Sequence, residues 1–145
     1  MEFKDTKTDE VITLASIIEK EGNSQEQFKQ ISSVLHNRLN SDSAEHLVLK
    51  CDSTVDYIEI YIHNRVHTDS DRNKYRENYN TYVCWGLPIG AICNPGKASI
   101  EAALNPPKSN NYFFQHDKNG KIYLAETGKQ HEANKLIVEK VDGEG

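Results

Sequence analysis

Long apolar runs are missing from this chain. No stretch approaches the roughly 20 residues that cross a bilayer, and the mean hydropathy is -0.71. No signal-peptide pattern opens it, because Met1 leads directly into the polar run from Glu2 to Glu10. Cysteine is scarce as well. Cys51, Cys84 and Cys93 are too few and too scattered for a disulfide-stapled scaffold, and the missing C-x-x-C pair argues against a zinc ribbon or thioredoxin-like site. Cys84 and Cys93 are near enough in sequence for a disulfide, but three small, half-buried thiols are the simpler expectation. Basic charge is in deficit: 17 Lys and Arg face 22 Asp and Glu, a net charge of -5, with no cationic run. That balance points away from nucleic acid. Metal-ligand spacing is also absent. His63 and His67 stand four apart but lack the Glu of an H-E-x-x-H motif, so a solvated pair is expected and no metal or cofactor.

What remains is 145 residues of ordinary globular composition, with no repeat or linker to divide them. This is the length of one domain, able to bury about 68–70% of its unfolded surface without a metal or disulfide. Val11, Leu14, Ala15 and Ile18 follow a helical template behind Asp9 as cap, and Gly22-Asn23 ends that helix. Ser24 and Gln27 have capping-box spacing for a second helix, with Phe28, Ile31, Leu35 and Leu39 inward. Residues 40–45 read as a polar loop. The run from Ser53 to Ile62 fits helix or strand, and Asp52 as an N-cap tips it toward helix.

Residues 63–78 are dense in charge and lack Leu, Ile and Phe, a surface excursion with at most one short helix. Three glycines and two prolines between Gly86 and Gly96 then predict a loop of fixed shape. A short helix over 98–104 stops at Asn105-Pro106-Pro107. Residues 112–115 and 121–124 flank Asp117-Lys118-Asn119-Gly120 as a hairpin, and Thr127 with Gln130 opens a last helix to about Lys140.

Chemistry gathers at the end of the first helix. At about 100° per residue, Glu21 projects between Leu14 and Ile17 at the edge of the apolar stripe. Lys20 turns toward solvent, and Glu19 falls between Ile12 and Ala15 on the other edge. Apolar neighbours desolvate a carboxyl group, and a helix C-terminus adds negative potential; both raise its pKa. A general acid near neutral pH requires that combination, and Glu21 is better placed for it than Glu19. A solvated, cap-region carboxylate is the plainer alternative for both. Tyr79, Asn80, Thr81 and Tyr82 put aromatic faces and amide groups together before the rigid loop. Sugar sites use that mixture, although a tyrosine corner packing the loop onto the core fits equally well. His131 reads as a structural or surface histidine.

The segment Leu14-Ala15-Ser16-Ile17-Ile18-Glu19-Lys20-Glu21 resembles the signature helix of the YceG-like endolytic murein transglycosylases. The match continues in order through Asn37-Arg38-Leu39, residues 49–55 around Asp52, and Tyr79-Asn80-Thr81-Tyr82. Gly86-Leu87-Pro88-Ile89-Gly90, Asn94-Pro95-Gly96, residues 99–106, Tyr112-Phe113-Phe114 and Thr127…His131 complete it. Ser53 stands where the family often has Pro, and residues 63–78 follow no family pattern. The resemblance implies a catalytic domain over residues 10–140, with a disordered or added tail over 1–9 and a frayed end over 141–145. It implies an α+β fold, helices packed around a small antiparallel sheet, with the catalytic Glu21 at the end of the first helix.

The implied reaction cleaves the β-1,4 bond between N-acetylmuramic acid and N-acetylglucosamine, leaving 1,6-anhydro ends, with Glu21 as acid and then base. Tyr79, Asn80, Thr81, Tyr82 and Asn94 are expected to line the cleft. Asp52 is expected as the N-cap that shapes it, the alternative being a second polar contact. A muramidase and a non-catalytic glycan-binding module are the competing readings. Peptidoglycan strands are the implied partner, with cell-wall synthesis or division proteins as further candidates. The implied parent is anchored at the extracytoplasmic face of the bacterial membrane, where Cys84 and Cys93 can pair, this piece itself being soluble.

Overall fold

A computed structural model describes residues 8–144; residues 1–7 of the expected tail lie outside it. Helix α1 (Thr8–Glu21) begins just before the predicted cap and buries Leu14, Ile17 and Ile18 completely. Each such side chain contributes about 1.5–3 kcal/mol on removal from water. Helix α2 (Gln25–Leu39) follows after a short turn, and the Ser24 hydroxyl accepts from the Gln27 amide as the capping box predicts. Its buried face carries Ile31, Val34 and Leu35.

Helix α6 (Lys97–Leu104) packs on both α1 and α2. Small residues permit the close approach: Ser99, Ala102 and Ala103 of α6 are buried, as are Ala15 and Ser16 of α1 and Ser32 of α2. Their hydroxyls are not wasted there. Ser32 donates to the Ala102 carbonyl (2.6 Å), and Ser16 donates to Thr13 O (2.6 Å) while accepting from the Ile92 amide (3.1 Å). Buried polar groups tolerate desolvation only when paired in this way.

The loop predicted over 40–45 closes into a helical turn, α3 (Ala44–Leu47). Helix α4 (Asp52–Tyr57) continues into a π-helical turn at Ile58–Ile62 and a 3₁₀ turn at His63–Arg65, so the ambiguous run is helical. The charged excursion forms α5 (Asp69–Tyr79), a helix with no buried residue. Strands β1 (Phe113–His116) and β2 (Ile122–Ala125) pair antiparallel, with Phe113 opposite Ala125 and His116 opposite Ile122. Their turn uses Gly120 at φ +82°, and Asp117 Oδ1 accepts from the amides of Asn119 and Lys121.

Helix α7 (Gly128–Gly143) opens on the predicted Thr127 cap and packs on the hairpin. It stays helical beyond residue 140, where a frayed end was expected. The class is α+β. The three packed helices α1, α2 and α6 form the core, and the hairpin with α7 forms a second wall reached through Phe114 and Ile122. The three cysteines are free thiols. Among the described residues, no helix is long and apolar enough to cross a membrane.

Candidate active site

Glu19 and Glu21 end the same helix, yet they meet different surroundings. Glu19 Oε1 accepts from the Gly96 amide (2.8 Å) at the start of α6, so this carboxylate caps a neighbouring helix. Glu21 Oε1 accepts from the Ser53 amide (3.0 Å) in the first turn of α4, whose own cap residue, Cys51, supplies no side-chain bond. The buried Ser53 hydroxyl, with no other partner, faces the same carboxyl group. Burial nonetheless dominates and raises the Glu21 pKa; the Ser53 contacts oppose it, and the nearby charges of Asp52 and Asp56 reinforce it. Glu21 is thus a carboxyl group biased toward its protonated form, held by a fixed donor.

Asp52 is not the cap expected of it. It lies one residue inside α4, with no capping bond, and its Oδ1 accepts from the Tyr82 hydroxyl. Tyr82 is 47% exposed, and burial of its hydroxyl, followed by the bond to Asp52, raises its pKa. Glu21, Asp52 and Tyr82 border one cleft of about 610 Å³. Tyr112, Phe113 of β1 and His131 of α7 also line it, as do Val34 and Leu49. A volume of several hundred Å³ suits a ligand-sized site.

The other expected cleft residues lie elsewhere. Thr81 is fully buried and cannot touch a ligand. Its hydroxyl accepts from the Cys51 amide (2.8 Å) and bonds the Thr54 hydroxyl (2.9 Å), fastening the loop to the start of α4. Asn80 uses Oδ1 to accept from the Tyr82 amide (2.9 Å), which sets the direction of that tyrosine. Tyr79 packs between Tyr57 and Tyr75, at centroid distances of 5.2 and 6.2 Å. Asn94 is exposed before α6 and does not line the cleft. The tyrosine-corner reading therefore describes Tyr79 and Thr81, and the sugar-site reading retains Tyr82. Thr81→Val should cost about 1–3 kcal/mol, the usual penalty for a stranded buried donor; urea unfolding midpoints measure it.

Arg38 was legible in the sequence only as part of a motif. It is 4% exposed, and its guanidinium donates to four carbonyls: Glu45 (3.1 Å), His46 (3.1 Å), Val48 (2.8 Å) and Tyr112 (2.7 Å). It also lies over the Phe113 ring at 5.2 Å. One side chain thus ties α2 to the α3 segment and to β1 beside the cleft. His131, expected to be a structural or surface histidine, stacks on Phe113 at 5.0 Å and lines the cleft. Lys50 also lines it, in the left-handed backbone region at φ +54°. The motifs that hold these residues do not indicate that they share a cleft, because elements distant in the chain bring them together. Among the described residues, no group of His, Cys, Asp and Glu is arranged to hold a metal ion.

Comparison with known proteins agrees with the motif order. The chain is 31% identical over 135 residues to an endolytic murein transglycosylase of Streptococcus pneumoniae, covering 90% of this chain and 24% of that protein. It is 34% identical over 126 residues to an endolytic murein transglycosylase of Bacillus subtilis, covering 83% of this chain and 32% of that protein. It thus spans about a quarter to a third of the curated relatives it matches. A solved structure of a yceG-like protein from Listeria monocytogenes superposes with a TM-score of 0.72 at 37% identity, covering 92% of this chain and 41% of the other. The YceG-like family pattern matches residues 2–136, nearly the whole sequence, and this chain belongs to that family.

Proposed function

We propose that this domain cuts peptidoglycan glycan strands internally, as a lytic transglycosylase, with Glu21 as its catalytic residue. The observation that carries this is the half-buried Glu21 carboxyl, its pKa raised, beside Asp52 and Tyr82 in a cleft. Its relatives named endolytic murein transglycosylases supply the substrate class. Glu21, protonated, gives its proton to the glycosidic oxygen as the bond to muramic acid C1 breaks. The negative charge of Asp52 stabilises the positive charge that develops on the ring. The muramic acid C6 hydroxyl then attacks C1 and returns its proton to Glu21, closing a 1,6-anhydro ring without consuming water. One carboxyl group serves both steps because the proton it gives to the leaving oxygen is replaced by the one it takes from the C6 hydroxyl.

Asp52 also favours a second reading. A hydrolytic muramidase needs a second carboxylate to activate water or to attack C1. The Tyr82 bond favours the first reading, since it holds Asp52 as an oriented anion. On either reading the substrate lies outside the cytoplasmic membrane. The longer protein is then anchored there, with wall-synthesis or division proteins as its partners.

Mass spectrometry of the products released from purified peptidoglycan tests the reading. Anhydro-muramic ends are expected; reducing muramic ends would establish hydrolysis, and binding without release would establish a glycan-binding module. Tyr82→Phe removes the donor to Asp52. A hydrogen bond to a charged group is worth about 1.5–3 kcal/mol, so kcat should fall about tenfold or more with KM little changed, measured on soluble glycan strands.

A further inference from the structure

The cleft that Glu21 borders also carries positive charge that the cleavage chemistry does not use. Arg38 spends its hydrogen bonds on four neutral carbonyls, and among the described residues no carboxylate pairs with it at bonding distance, although the charge of Glu45 lies near it. Lys50 forms no ion pair among the described residues and is exposed between Leu49 and Cys51, both buried. Its backbone is left-handed at φ +54°, a conformation unfavourable for a residue with a β-carbon, and its amide is held by the Thr81 carbonyl (3.2 Å). The chain therefore accepts strain at the point where it places an ammonium group on the cleft. From α7 come His131 and Lys135, the latter paired with Glu132 at 2.9 Å. Burial most of all, and then the charges of Lys135, Arg38 and Lys50, hold the His131 pKa down against the opposing charge of Glu132, and these side chains line one cleft.

We propose that Lys50, backed by Arg38 and assisted by Lys135, binds a carboxylate carried on the muramic acid side chain, so that the cleft selects muramoyl units over plain N-acetylglucosamine polymers. The proposal rests on the murein-cleavage reading and deepens it. Muramic acid differs from N-acetylglucosamine by an O3-lactyl group, which ends in a carboxylate or carries a stem peptide with carboxylates of its own. Both sources present the same chemistry to an ammonium group: a charge-assisted hydrogen bond in a partly enclosed site. Glu45 and Glu132 also border the cleft. Glu132 is bonded by Lys135 and also feels the charge of Lys50, but Lys50 makes no ion pair at bonding distance among the described residues, so it carries most of the selectivity.

The test measures dissociation constants in a Glu21→Gln background, which does not cut its ligand. Three fluorescent probes are compared: uncrosslinked murein strands with stem peptides, the same strands stripped by an amidase to leave the lactyl carboxylate, and chitin oligosaccharides. Lys50→Gly keeps the left-handed backbone and removes the ammonium group, so it should fold at least as well as the parent. It is expected to lower the murein-to-chitin affinity ratio about five- to tenfold, a loss that 0.5 M salt also produces in the parent. Lys50→Arg should keep the ratio, and Lys135→Gln should lower it about twofold. Retention of the Lys50 effect on stripped strands assigns the lactyl carboxylate; its loss there assigns the stem peptide. An unchanged ratio in Lys50→Gly, or an equal loss toward chitin, overturns the proposal while leaving the cleavage reading intact. Failure of the parent to bind any murein strand overturns both.

Discussion

Glu21→Gln should abolish glycan cleavage, lowering the rate by about 10²–10⁴-fold, while leaving the fold intact. A general acid–base group contributes that much, and glutamine cannot lend a proton. Its amide oxygen can still accept from the Ser53 amide, so the α1–α4 junction is preserved. Glu19→Gln is the matched control, because glutamine can likewise accept from Gly96, and its activity should stay within about twofold of the parent's.

The same substitution carries a stability signature. A carboxyl group whose pKa is raised on folding binds more protons folded than unfolded between its ordinary and raised pKa values. Stability is therefore lost as pH rises through that window, and the loss persists above it. Glu21→Gln removes this dependence. It should melt a few degrees higher than the parent above the window and nearly level with it below about pH 4. Each kcal/mol corresponds to about 4 °C at this size. A variant that is dead yet more stable separates a functional carboxylate from a structural one.

Arg38→Ala should be the most destabilising single change near the cleft, costing about 3–5 kcal/mol. The substitution strands four carbonyls in a nearly dry site and removes the contact with the Phe113 ring. Each stranded acceptor costs about 1–3 kcal/mol, softened where relaxation admits water. Arg38→Lys should recover only part of the loss, since a compact ammonium group cannot reach carbonyls fanned around a planar guanidinium. Thermal unfolding followed by circular dichroism measures both. Cleavage by Arg38→Lys should fall as well, because His46, Val48 and Tyr112 set the distance between the two walls.

The features legible in the sequence were the local ones. The α1 stripe placed Glu21 against Leu14 and Ile17 because helical periodicity is fixed by backbone geometry. Ser24 and Thr127 announced their helices because a cap and its bond lie within one turn. The hairpin was equally plain, with Asp117 and Gly120 at its turn. Long-range relations were hidden. Nothing near Asp52 in sequence indicates that Tyr82, thirty residues on, takes its carboxylate, and that bond removed it from the expected capping role. Tyr79 and Tyr82 are three apart, yet one packs among tyrosines and the other reaches the cleft, because Asn80 and Thr81 turn the chain between them. Residues 63–78 have no buried helix face for periodicity to reveal, so α5 is held by its Thr68 cap.

The account depends on the protonation state of one side chain, and carboxyl-carbon NMR of Glu21 measures it. The parent protein, titrated from pH 3 to 9 with Glu21→Gln used to assign the resonance, should show a midpoint above the usual carboxylate range of about 4.3. The midpoint should fall when Asp52→Asn removes a neighbouring negative charge. A Glu21 carboxyl group that titrates at or below the ordinary value would contradict the account, because it would hold no proton to give at the pH where the reaction runs.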